Sequence, residues 1–204
     1  EEEGVDLFIS TYFTAPESTP SVLMVHDMIP EVLGEALDVP QWQEKHHCIH
    51  QAVAYLAVSH NTAKDLVRFF PTIAPDSINV AYPGVAPHFS PASPEAVHQF
   101  KTKYGISKPY FLLTGVNQNY ENYKNKLLFF AAFSQLASRQ GFEIVCTGSD
   151  DGLNEDLRQF TSGCVVHLLA LSDEELVVAY SGAIALVYPS VYEGFGLPVL
   201  EAMA

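Results

Sequence analysis

A parallel α/β architecture of the doubly wound kind is what this sequence predicts. Short apolar runs alternate with helix-like stretches, and one proline-rich break interrupts that rhythm before it restarts. The runs are Val5 to Ser10, Val22 to His26, Tyr55 to Val58, Ile78 to Ala81, Tyr110 to Thr114, Glu143 to Thr147, Val165 to Leu168 and Ala183 to Tyr188. They are rich in β-branched and aromatic residues, as suits strands covered on both faces. Between them, Thr62 to Phe70, Pro94 to Tyr104, Lys126 to Arg139 and Asp173 to Tyr180 read as helices. Ser59, Asn61, Ser93 and Ser172 are suited to cap their starts, and Gly105 and Gly141 to stop them.

The break is Tyr82-Pro83-Gly84-Val85-Ala86-Pro87-His88-Phe89-Ser90-Pro91, and it divides the chain into domains 1–88 and 89–204. At 204 residues, 48% hydrophobic and only 17% charged, there is ample material for packed cores. The net charge of -14, from 24 acidic against 10 basic residues, excludes nucleic acid as a natural partner and supplies no polybasic patch for an anionic membrane. Cys48, Cys146 and Cys164 are odd in number and unrelated in spacing, which suits reduced thiols in a cytoplasmic compartment. The apolar run Leu176 to Val187 is too short to span a bilayer and reads as a helix end followed by a strand, so no transmembrane segment is expected.

Four stretches carry chemistry. Tyr192-Glu193-Gly194-Phe195-Gly196-Leu197-Pro198-Val199-Leu200-Glu201 places a glycine-rich turn between a strand and a helix. Helix N–H groups there suit an anion, and Glu193 and Glu201, about two helical turns apart, suit hydroxyls at two ends of one extended ligand. By spacing alone the same turn equally suits an ordinary strand-to-helix connection. His26-Asp27 follows a strand and precedes Met28-Ile29-Pro30, at the carboxyl end where ligands gather in such sheets. Lys124-Asn125 follows the strand Tyr110 to Thr114 and Gly115, so Lys124 is either an ordinary surface charge or a cation for a diphosphate. Two aspartates beside a phosphate would be unfavourable, so Gly148-Ser149-Asp150-Asp151-Gly152 reads either as simply a turn or as the base or ribose side of a nucleotide site. His46, His47 and His50 lie on a helix face; no third ligand joins His46 and His50, so no metal is expected and a solvated face is.

Glu193 to Glu201, in its Glu-Gly-Phe-Gly-Leu-Pro form, resembles the E-x7-E signature of the retaining glycosyltransferases of family four, the group 1 glycosyltransferases. His26-Asp27-x-Ile29-Pro30 resembles their acceptor-domain histidine motif, and Tyr110 to Gly115 with Lys124-Asn125 their strand-glycine-lysine-asparagine element. The resemblance implies the GT-B fold of two Rossmann-like domains, both incomplete here: a partial acceptor-side domain over 1–88 and a partial nucleotide-sugar-binding domain over 89–204. It implies transfer of a hexosyl group from a UDP- or GDP-linked sugar to a hydroxyl of a glycan or lipid-linked glycan, with retention, as in polysaccharide biosynthesis. It implies no metal or cofactor, and a cytoplasmic protein, peripheral to the inner face of the membrane where the acceptor is lipid-linked. His26 and Glu193 would contact the transferred sugar. Gly115, Lys124, Asn125, Gly194, Phe195, Gly196, Leu197 and Glu201 would bind the donor, with Glu201 on the ribose. Many family members carry an arginine near this lysine; residues 116–123 here hold none. The alternatives are a fragment that binds nucleotide sugar without transfer and a sugar-nucleotide epimerase of the same fold.

Overall fold

A computed structural model of the chain describes residues 4–115, 122–148, 152–153 and 155–204. It contains two parallel sheets of four strands each, flanked by helices. The chain divides into two compact units, one of residues 1–84 with 193–195, the other of residues 85–192 with 196–204. The division falls at Gly84, inside the proline-rich stretch.

The first unit runs β1 (Phe8–Ser10), β2 (Ser21–Val25), α1 (Ile29–Leu33), α2 (Pro40–Gln51), β3 (Ala54–Ala57), α3 (His60–Phe69) and β4 (Ile78–Val80). Its strands pair in chain order, β1-β2-β3-β4, all parallel, with Leu23 opposite Tyr55 and Tyr55 opposite Ile78. Each strand is laid beside its predecessor on the same side, which is the layout of one half of a doubly wound sheet. Leu23, Val25, Met28, Ile49, Tyr55, Leu66 and Phe70 form its core. The Ser59 side chain accepts from the Thr62 N–H and caps α3, as its sequence position predicts. Asn61 is no cap: it lies inside α3, where its amide donates to Asp65 at 3.1 Å.

The second unit runs α4 (Pro94–Tyr104), β5 (Tyr110–Leu113), α5 (Lys126–Ser134), β6 (Glu143–Thr147), α6 (Glu155–Arg158), β7 (Val165–Leu169), α7 (Asp173–Gly182), β8 (Ala185–Leu186) and α8 (Leu197–Met203). The order across its sheet is β7-β6-β5-β8. Strands pleat, so neighbours along one strand face opposite ways. Leu113, Ile144 and Cys146 accordingly share a core with Phe130 and Phe133 of α5, whereas Tyr110, Leu112 and Val145 share another with Phe100 of α4 and Ala179 of α7. Every residue of β6 is buried, which explains why its centre, Ile144-Val145-Cys146, is apolar on both faces. Helix α4 begins at the Ser93 cap and ends at Gly105, whose φ of +68° is the left-handed turn that glycine adopts without a steric cost. Helix α5 stops at Ser134, earlier than Arg139, because its last turn tightens onto the carbonyls of Ala132 and Phe133; Gly141 instead closes a separate 3-10 turn. All three cysteines are unpaired thiols. Among the described residues, no helix is long and apolar enough to cross a membrane.

One buried carboxylate belongs to this framework. Glu143, 1% exposed at the start of β6, accepts from the Ser107 hydroxyl at 2.7 Å and bonds the His167 ring at 2.9 Å. Burial alone would raise its pKa, but the bonds from Ser107 and His167 outweigh that and hold it below its ordinary value of 4.5. A carboxyl lowered in the folded state contributes stability above its unfolded pKa, and that contribution is lost as pH falls through the folded value. Glu143→Gln should therefore cost roughly 1–3 kcal/mol at neutral pH. Its urea midpoint should also fall less steeply than that of the wild type below pH 4.5; parallel pH profiles for the two proteins would show that Glu143 contributes nothing of this kind.

Candidate functional site

The second sheet contains a reversal of strand order. From β5 the chain moves outward to β6 and β7, then crosses back to lay β8 on the opposite side of β5. Loops leaving adjacent strands on either side of such a reversal diverge, opening a crevice at the strands' carboxyl ends. Here those ends are Thr114-Gly115 after β5 and Val187-Tyr188-Pro189 after β8, and the Val187 N–H still donates to the Leu112 carbonyl at 2.8 Å.

Lys124 sits in that crevice. It closes a 3-10 turn, Asn122–Lys124, and its ammonium lies 5.1 Å from the Tyr123 ring centre and 5.8 Å from that of Tyr188. Aromatic faces attract a cation through their quadrupole, so the two rings hold the charge over the strand ends. Gly115 takes φ +69°, a left-handed backbone that glycine adopts without steric cost, and it packs beside the lysine: a Cβ there would lie 3.9 Å from the lysine Cε, an ordinary van der Waals contact. Asn125 follows at φ +50°, and among the described residues no other non-glycine has a positive φ. Asparagine tolerates that region better than most residues, which explains its place at the start of α5. The Val191 N–H donates to the Tyr123 carbonyl at 2.8 Å and ties the segment after β8 to the lysine turn.

Gly196 opens α8 at φ +111°. Pro198 has no N–H to offer, and those of Val199 and Leu200 turn back to the Gly196 carbonyl at 3.0 and 3.4 Å. Of the first helical turn, Leu197 keeps an N–H with no carbonyl of its own helix to bond. Glu201, one turn further, accepts from the Tyr180 hydroxyl at 2.8 Å. Burial first, and then that carboxylate, raise the Tyr180 pKa strongly.

The other predicted residues belong to the first unit. His26 follows β2 and its Nε2 lies 2.7 Å from the Thr11 carbonyl; since a carbonyl only accepts, Nε2 carries the proton of this bond, which leaves Nδ1 outside it. Asp27 accepts from the Ile29 N–H at 2.9 Å. Beneath them Lys45 donates to Glu31 at 2.8 Å and lies 4.0 Å from Asp27. Glu31 also bonds His46 at 2.8 Å, so His46 is no solvated side chain: it is tied to a buried carboxylate, and its ring, like that of His50, meets Phe70 edge-on. Among the described residues, no group of three metal-ligating side chains forms. A cavity of about 70 Å³ beside His26 is lined by Tyr12, Phe13, Asp27, Trp42 and Lys45.

Glu193 is half-buried, and Gly194 is buried against His26. The Gly194 carbonyl accepts from the Ser59 hydroxyl at 2.6 Å and from the Thr62 hydroxyl at 3.1 Å, while any Cβ there would collide with the His26 carbonyl oxygen. Phe195 meets Tyr82 at 6.0 Å. The structure thus groups His26, Glu193, Gly194 and Phe195 in one unit, and Gly115, Lys124, Asn125, Gly196, Leu197 and Glu201 in the other. Residues 116–121 of the lysine loop, and Ser149, Asp150 and Asp151 of the second glycine turn, lie outside the described residues. Sequence reading missed Tyr180 as the partner of Glu201, and Ser59 and Thr62 as partners of Gly194; the helix-cap signal at Ser59 marked the position but not the contact.

Residues 108–204 match the family model of the group 1 glycosyl transferases. The chain is 29% identical over 175 residues to the O-antigen chain mannosyltransferase B of Escherichia coli, across 82% of this chain and 45% of that protein. It therefore spans under half the length of that relative. Among solved structures it resembles WaaG, a glycosyltransferase involved in lipopolysaccharide biosynthesis, with a TM-score of 0.76 at 14% identity, over 99% of this chain and 58% of that one. It also resembles Anabaena Alr3699/HepE in complex with UDP-glucose, with a TM-score of 0.70 at 16% identity, over 91% of this chain and 51% of that one. At those identities the likeness speaks to the fold, and it bears out the GT-B architecture expected from the sequence.

Because the Gly194 backbone approaches His26 so closely, Gly194→Ala should destabilise the protein by about 1–3 kcal/mol through overpacking. The double variant Ser59→Ala, Thr62→Val should cost about 1 kcal/mol for each hydrogen bond lost. Urea unfolding measures both, and a Gly194→Ala protein as stable as the wild type would contradict the close approach.

Proposed function

From the match of residues 108–204 to the family model of the group 1 glycosyl transferases, we propose that the protein transfers a hexosyl group from a nucleoside diphosphate sugar to an acceptor hydroxyl, with retention of anomeric configuration and without a metal. The observation that carries this reading is the placement of Lys124 against Gly115, in the crevice where the strand order of the second sheet reverses. A diphosphate needs positive charge where the bond to the sugar breaks, because negative charge builds on the departing phosphate oxygen. Lys124 supplies that charge, with the Gly196-Leu197 turn as a source of N–H donors. Glu201 accepts from the ribose hydroxyls and Glu193 from those of the sugar. His26 presents Nδ1 to a hydroxyl of the transferred sugar, its ring orientation fixed by the bond to Thr11. The E. coli relative's description as a mannosyltransferase makes a mannosyl donor the first sugar to test. On this reading the acceptor is a glycan or lipid-linked glycan.

Calorimetric titration with UDP, GDP and their hexose conjugates is the direct test. One of these should bind the wild type, and Lys124→Ala should weaken it roughly 10- to 100-fold, the range for hydrogen bonds to charged groups. Glu201→Ala should weaken nucleotide and nucleotide sugar alike. Absence of binding by every ligand in the series would overturn the donor site. In the whole protein, epimerised donor released in the absence of acceptor would overturn transfer in favour of epimerisation.

A further inference from the structure

We infer that Tyr180 is a positioning residue for Glu201, and that through it the protein distinguishes a ribonucleotide donor from its 2′-deoxy counterpart. The inference rests on the reading of Glu201 as the ribose contact and adds to it the group that aims its carboxylate. A glutamate on an exposed helical turn has many rotamers, and a carboxylate that must accept from two neighbouring hydroxyls at once pays in entropy to adopt one of them. Here one rotamer is selected beforehand: the Tyr180 phenol donates to Oε2 at 2.8 Å. That bond uses one of the roughly four acceptor directions of a carboxylate and leaves Oε1 and the remaining Oε2 lone pairs for the ligand.

The phenol can act as a fixed reference because its helix is locked to the central strand. The Tyr110 hydroxyl of β5 donates to the Ala179 carbonyl, adjacent to Tyr180 in the chain, at 2.7 Å. Two residues on, Gly182 lies so close that a Cβ would stand 2.7 Å from the Tyr110 hydroxyl and 2.9 Å from Val97 Cγ1. Phe89 meets the Tyr180 ring edge-on at 6.0 Å, and the Ser181 hydroxyl accepts from the Ala92 N–H at 2.9 Å. The start of α7 is fixed as well, by a capping box between Ser172 and Glu175. Tyr180 is thus tied to the same strand whose end carries Gly115, so Glu201 is held in register with the crevice. Burial and the neighbouring carboxylate keep the phenol protonated through the working pH range, so the donor is always present.

The test compares a ribonucleoside diphosphate that binds, UDP or GDP, with its 2′-deoxy analogue, by calorimetry on the wild-type chain, Tyr180→Phe, Glu201→Ala and the double variant. The wild type should prefer the ribonucleotide by roughly tenfold or more, as expected when a site built around a hydroxyl loses it. Glu201→Ala should abolish the preference. Tyr180→Phe should lose most of it by weakening the ribonucleotide alone, with a cooperative melting transition retained and deoxynucleotide affinity held, and the double variant should match Glu201→Ala. Glu201→Asp, whose carboxylate falls short of the phenol, should repeat the loss with Tyr180 intact. A Tyr180→Phe protein that keeps the wild-type preference, or weakens both ligands equally, overturns the inference and leaves the ribose reading standing. A Glu201→Ala protein that keeps the preference, or a wild type that binds neither nucleotide, overturns the ribose reading and the inference with it.

Discussion

The pairing of β8 with β5 is the constraint on which the second unit depends. It is slight in extent, two register pairs at Phe111 with Ala185 and Leu112 with Leu186, extended by the bonds of Ile184 and Val187 to the Tyr110 and Leu112 carbonyls. Yet it decides on which side of β5 the last crossover lands. With β6 already on one edge, only the other edge leaves Tyr188 beside the turn that follows β5, where its ring can face Lys124. The glycine, the lysine and the asparagine with left-handed backbone are then local answers to a problem that the strand order poses. The glycine and the asparagine accommodate a left-handed backbone, and the lysine supplies charge.

The two units use polar burial differently. In the second, Ser107 precedes β5, Glu143 starts β6 and His167 lies midway along β7, so their network braces the sheet from the ends opposite the crevice. In the first, the Glu31-Lys45-His46 group lies directly beneath Asp27 and His26. A buried ion pair returns little net stability once desolvation is counted, and it is costly to break from one side. Its position therefore fits a role in holding the strand-end pair in a single arrangement better than a role in raising overall stability.

Much of the fold was legible in the sequence because its signals were local. Pro94–Tyr104 has a serine cap before it and a glycine stop after it, and both of its ends were readable. The α2 helix was harder to delimit, because its buried face is built partly from Lys45 and no apolar stripe marks it. The strand runs stood out for the opposite reason, since burial on both sheet faces removes polar interruptions. Residues of the candidate site were readable where glycines and charges fall at strand ends. The partnership of Tyr180 with Glu201 was not, since the two lie 21 positions apart on different helices and meet only because α7 is anchored to β5. Nor does any local signal say that the Gly194 carbonyl will be received by two hydroxyls, one from the cap of α3 and one from its first turn.

The strand orders also bear on how the two units come into being. In the first sheet every strand pairs with the one made just before it, so the sheet can grow by successive addition as the chain is synthesised, with modest loop closure at each step. In the second, β5 has one edge open from the time residue 113 is made until β8 arrives at residue 185. For that interval a row of backbone donors and acceptors stands exposed beside an apolar strand, which is the condition under which nascent chains pair with the wrong neighbour. The late strand that creates the crevice is therefore also the one whose absence leaves the unit most open to misassembly, and the slow phase of folding should belong to this unit.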